Sequence, residues 1–153
     1  MKRPAAYRLI LIVVSAAIPA LLATAGALKL LNWTAFYESV ESFTLVPYQL
    51  RWLTATSLPS VEIFPLFLWL SGRWASSNLI CSILLGGFTL VAGWHWLNNE
   101  APDCGCLGDW VEYHRVSDAV RAVAPRNIGL FLLAAIGVIA SRWLSKAPRE
   151  SLA

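Results

Sequence analysis

Residues 9–31 read LILIVVSAAIPALLATAGALKLL, and this stretch decides the fold. Its only charge is Lys29, close to its end. A helix needs about 20 mostly apolar residues to cross ~30 Å of hydrocarbon at ~1.5 Å per residue, and this run is long enough. Working outward, comparable runs occupy 48–71, 75–97 and 126–144. The run over 48–71 is the most interrupted, by Pro59, Pro65 and Glu62. Proline is tolerated in a span because neighbouring helices satisfy the freed backbone groups. Between the first two runs, residues 32–44 set Trp33, Phe36, Tyr37, Val40 and Phe43 at near-helical spacing around Glu38 and Glu41. That pattern predicts a short helix lying in the membrane interface. The expectation is an all-α membrane protein forming one domain over 1–153: a four-helix transmembrane bundle with a short interfacial helix between the first and second spans. A composition of 58% hydrophobic and 14% charged residues agrees, being far from that of a soluble globule.

Lys2, Arg3 and Arg8, followed by an apolar run ending in Ala23-Thr24-Ala25-Gly26-Ala27, also sketch a cleavable signal peptide. The run is longer than such a core, and an even number of spans leaves both basic ends on one side, so an uncleaved span is the expectation. Orientation follows from lysine and arginine in the short connections. Lys2, Arg3, Arg8, Arg73, Arg142, Lys146 and Arg149 fall on one side. Glu38, Glu41, Glu100, Asp103, Asp109, Glu112 and Asp118 collect on the other, with Arg51, Arg115, Arg121 and Arg126 among them. The reading is a multi-pass protein of the bacterial inner membrane with both termini cytoplasmic. The net charge of +3 is then a topology signal and gives no reason to propose a nucleic-acid partner.

The expected outward loop over 98–125 holds Cys104-Gly105-Cys106. Disulfides form and persist outside the cytoplasm. Glycine, with its wide backbone freedom, suits the very small ring such a bond would close, and strain in that ring favours exchange over stapling. Two other readings stay open at this point. The thiols, with His95 and His114, make a zinc- or copper-type donor set, and the pair also reads as purely structural. Cys81 is separate: it falls within the third span, on the order of 20 Å from the loop at helical rise, and reads as a buried small apolar residue.

Lys29 and Glu62 are ionisable residues in the outer halves of the first and second spans. Charge in hydrocarbon has a partner or a task. A structural ion pair, snorkelling of the lysine, and a proton-accepting or relaying Glu62 are the readings. His95, between Trp94 and Trp96, precedes Cys104 by a short stretch and is a candidate base, since the thiolate is the attacking species. An interfacial histidine facing headgroups or water is the plainer alternative. Arg126 and Asn127 open the fourth run just after Pro125, a favourable residue near a helix start.

Gly26-Ala27-Leu28-Lys29, Leu58-Pro59-Ser60-Val61-Glu62, Cys104-Gly105-Cys106-Leu107-Gly108 and Arg126-Asn127, on a four-span plan, together resemble the MauE/DoxX family of redox-associated membrane proteins. The resemblance covers roughly residues 7–145. Leu107 stands where the family usually has an aromatic residue. What the resemblance implies is a role in methylamine utilisation or a related periplasmic maturation pathway. The implied partner is a periplasmic protein substrate, either the disulfide-rich small subunit of methylamine dehydrogenase or a thioredoxin-like protein, with membrane lipid around the spans. The expected chemistry is thiol–disulfide exchange by Cys104 and Cys106, with His95 and Glu62 as proton-handling catalytic residues and Lys29, Arg126 and Asn127 in structural or ion-pair roles. A membrane quinone is the candidate cofactor, because aromatic residues gather at the outer boundary and the DoxX likeness brings quinone-linked chemistry into view. A non-enzymatic assembly or transport subunit is the rival reading.

Overall fold

In a computed structural model, residues 5–43, 45–98 and 116–145 are described, and all regular structure among them is helical. The order is α1 (Ala5–Leu31), α2 (Trp33–Ser42), α3 (Tyr48–Leu70), α4 (Trp74–Leu97) and α5 (Val116–Ser145). Four stretches are long and apolar enough to cross a membrane: Leu9–Leu31, Tyr48–Leu70, Trp74–His95 and Arg126–Trp143. This is the all-α, four-span architecture with a short intervening helix that the hydrophobic pattern predicts. Large apolar side chains such as Leu9, Ile10, Ile83, Leu90, Ile136 and Ile139 point outward. In water that surface would be unsustainable, whereas lipid tails receive it without penalty.

The turn between α3 and α4 shows local chemistry deciding topology. Gly72 adopts φ 82°, a left-handed conformation that favours glycine. Its N–H donates to the Trp69 carbonyl and that of Arg73 to the Leu68 carbonyl, both at 3.0 Å. These two bonds form a Schellman cap, which stops α3 and sends α4 back antiparallel. The helices therefore have two distinct ends: the C-terminal end of α1, the helix α2, the start of α3 and the end of α4 share one, and the α3–α4 turn lies at the other.

The core sits between α1, α4 and α5, where Ile18, Leu22, Cys81, Leu85 and Ala134 are buried together. Cys81 is thus the packed apolar residue expected of it. Towards the α3–α4 turn, neutral polar groups join the helices. Trp69 Nε1 donates to Ser15 Oγ at 3.2 Å, and Asn78 Nδ2 donates to the Ser15 and Trp74 carbonyls at 3.1 and 3.0 Å. Ser77 Oγ donates to the Pro65 carbonyl at 2.6 Å. Asn78 also presses against α5, where a Cβ on Gly137 would stand 2.5 Å from its Oδ1. At the opposite end, α2 lays Phe36 and Val40 onto Ala55 of α3.

One boundary differs from expectation. The loop expected over 98–125 is helical from Val116 onward, so Pro125 stands within α5 and does not mark its start. Residues 116–125 are alanine- and valine-rich but carry Asp118 and Arg121, so they form a helix without the hydropathy of a span. The apolar span itself still opens at Arg126.

Candidate functional site

Lys29 lies in the last turn of α1, where a cation complements the helix dipole. Glu62 sits deep in α3. Their exposures are 3% and 1%, and Lys29 Nζ donates to Glu62 Oε1 in a buried ion pair. Burying two opposite charges costs several kcal/mol per ion before their attraction is counted, so geometry has to be close.

Sequence and packing supply that geometry together. Gly26 and Lys29 are three residues apart on α1, and Pro59 and Glu62 three apart on α3, so each pair shares one helix face. At Gly26 the two faces meet: a Cβ there would stand 2.8 Å from the Pro59 carbonyl oxygen, 3.0 Å from Ile63 Cγ1 and 3.2 Å from Glu62 Cβ. Only a residue without a side chain permits that approach. One helical turn further on, the approach delivers the ammonium to the carboxylate. The ammonium also lies 5.5 Å from the Phe36 ring centroid and 5.7 Å from that of Phe88, within cation–π range. The site thus draws on α1, α2, α3 and α4.

The carboxylate is only half used. Glu62 Oε2 is buried and meets no hydrogen-bond donor among the described residues. A buried polar atom of this kind marks a place where a ligand, water or proton belongs.

His95 closes α4 at the same end of the bundle. It is 3% exposed and stands edge-on to Phe43, with ring centroids 5.0 Å apart and planes at 77°. The interfacial alternative, a ring facing headgroups or water, does not describe this position. Helix α2 therefore reaches from Phe36 above Lys29 to the segment just past its own end, where Phe43 covers His95. Outside the spans, desolvation and then the Glu41 carboxylate push the Tyr37 phenol above its ordinary range, which keeps it a donor toward Glu41.

The structure brings Lys29 and Glu62 together, as the ion-pair reading expects. Arg126 is half-buried and Asn127 buried on α5, which packs against α1 and α4; among the described residues, the bonds of the Lys29–Glu62 pair involve neither. Cys104, Cys106 and His114 lie outside the described residues. Among the described residues no group of three or more His, Cys, Asp or Glu side chains is placed to hold a metal. Sequence reasoning missed the parts played by Phe36, Phe88 and Gly26 around the pair. Gly26 had a signal, its spacing from Lys29 matching that of Pro59 from Glu62, but pattern alone does not say which helix faces touch. The Asn78 cluster was missed as well, although an amide inside an apolar span is a visible flag.

The family model described as Methylamine utilisation protein MauE matches residues 7–140. Neither a curated protein nor a solved structure matches the chain.

Proposed function

Because the chain belongs to the family of the methylamine utilisation protein MauE, we propose that this multi-pass membrane protein is a thiol–disulfide redox protein acting at the periplasmic face and assisting maturation of a periplasmic partner, such as methylamine dehydrogenase. The observation that carries the reading is Cys104-Gly105-Cys106 placed between two spans, in the connection leaving the same end of the bundle as the buried Lys29–Glu62 pair and His95. The basic residues at both termini and at Arg73 support an inner-membrane orientation with that end outward.

A thiolate of the partner attacks one sulfur of the Cys104–Cys106 disulfide, and the other sulfur leaves as a thiolate that takes up a proton. The partner's second thiolate attacks the mixed disulfide and releases the remaining cysteine, which is protonated in turn. The partner gains one S–S bond and the chain becomes a dithiol. His95, at the last turn of α4, is the group that moves the thiol proton, and the Glu62 carboxylate, paired with Lys29, is the group that accepts or relays one within the bundle. The test is trapping: Cys104→Ser or Cys106→Ser should accumulate a mixed disulfide with the partner in the membrane. Unimpaired partner maturation with both cysteines replaced rejects the reading and favours a non-enzymatic assembly subunit.

A further inference from the structure

Each disulfide donated to a partner leaves Cys104 and Cys106 reduced, so two electrons and two protons have to leave before the next cycle. A lipid-soluble acceptor needs a polar foothold within the spans, and the bundle has one built. Lys29 offers N–H donors beyond the one given to Glu62 Oε1; Glu62 Oε2 is a buried acceptor that no described residue satisfies; two aromatic rings flank the ammonium. A donor, a free acceptor and flat apolar walls in the outer half of a membrane bundle match an aromatic ring bearing oxygens that alternate between carbonyl and hydroxyl. We propose that the Lys29–Glu62 pair is the binding site for the head group of a membrane quinone, an inference resting on the thiol–disulfide reading above.

In this site the Lys29 ammonium donates to a quinone carbonyl oxygen, and Glu62 Oε2 accepts from the hydroxyl of the reduced form. The overall step balances: two S–H bonds break, one S–S bond forms between Cys104 and Cys106, and the two electrons and two protons reduce one quinone to quinol. On the α2 side, the Phe36 ring faces the ammonium. Phe36 belongs to that ten-residue helix, which is held by Phe36 and Val40 on Ala55 and by the Phe43–His95 contact beyond its end. The other groups around the ammonium belong to long spans.

The test measures binding, independent of turnover. The full-length protein in lipid nanodiscs is titrated with ubiquinone-1, and the saturable component is read by competition against a photoreactive azidobenzoquinone whose attachment point is mapped. Wild type should bind saturably, with label on α2 or α4 near Phe36 or Phe88. Glu62→Gln should weaken binding at least tenfold. Because that variant leaves Lys29 unpaired, the double variant Lys29→Met/Glu62→Met, which buries no unpaired charge, is measured beside it and should show the same loss. Wild-type affinity in the double variant, or no saturable binding in wild type, overturns the assignment. Intact quinone binding with no trapped mixed disulfide would instead sink the thiol reading and leave this site standing.

Discussion

Adding one methyl group at residue 26 perturbs the contact on which the ion pair is built. In Gly26→Ala the new Cβ falls 2.8 Å from the Pro59 carbonyl oxygen, 3.0 Å from Ile63 Cγ1 and 3.2 Å from Glu62 Cβ. Ordinary contact begins near ~3.5 Å, and the nearest atom belongs to helix backbone, which cannot rotate away. So α1 and α3 have to part by several tenths of an ångström beside Lys29 and Glu62. Two terms oppose each other. Alanine is favoured over glycine inside a helix by about 1 kcal/mol, while an extra methyl forced into a packed interface costs about 1–3 kcal/mol. The net expectation is a loss of up to about 2 kcal/mol, which for a chain of this size lowers Tm by up to about 8 °C.

Two control sites isolate the propensity term. Gly87 and Gly93 lie within α4, and a Cβ at either meets nothing within 4 Å. Alanine there should leave Tm unchanged or raise it slightly. The assay is thermal loss of helical circular dichroism in one detergent for all three variants. A Gly26→Ala protein that gains stability as the controls do would refute the close approach, and with it the account of how Lys29 reaches Glu62.

Other outcomes follow from the same geometry. Lys29→Met leaves the Glu62 carboxylate buried and unpaired and should cost about 3–5 kcal/mol, whereas Lys29→Met/Glu62→Met should recover most of that loss; thermal unfolding of the two proteins side by side checks it. Gly137→Ala sets a Cβ 2.5 Å from Asn78 Oδ1, and the Asn78 amide is tethered to two carbonyls, so a loss of about 1–3 kcal/mol is expected in the same assay. Cys81, fully buried beside Ile18, Leu22, Leu85 and Ala134, should stay unlabelled by maleimide in intact membranes and react after denaturation. Labelling of a Cys104→Ser/Cys106→Ser protein in intact membranes would contradict that burial.

The spans were legible because hydrocarbon imposes a length and a composition that residues 9–31 and 75–97 state almost without interruption. Helix α2 was legible for a related reason: Phe36 and Val40 repeat at the spacing of one helix face, and that face is the one buried on Ala55. The early start of α5 was not, because a helix that leaves the hydrocarbon no longer needs apolar residues, and Pro125 reads as a boundary while standing within the helix. Lys29 and Glu62 could be flagged singly as costly charges, and their partnership guessed. Their surroundings could not, since Phe36 and Phe88 are ordinary apolar residues in any one-dimensional pattern. Neither could the close contact at Gly26, which depends on the relative rotation of two helices.

The two ends of the bundle handle polarity differently, and the difference bears on function. Near the α3–α4 turn, Ser15, Trp69, Ser77 and Asn78 bind the helices with neutral hydrogen bonds. Each such bond contributes about 0.6 kcal/mol between membrane helices, enough to set register at small desolvation cost. A fixed bundle needs no more at its other end. There, instead, α1 and α3 bury two full charges, for which a pair of apolar residues of similar volume would serve stability equally well or better. They also leave Glu62 Oε2 without a described donor, and for a charged carboxylate that lack costs more than it does for the neutral Asn78 Oδ1 at the other end. An ion pair that adds little stability and whose second carboxylate oxygen no described residue satisfies, at the end from which the Cys104–Cys106 connection leaves, is better explained by what it binds or transfers than by what it holds together.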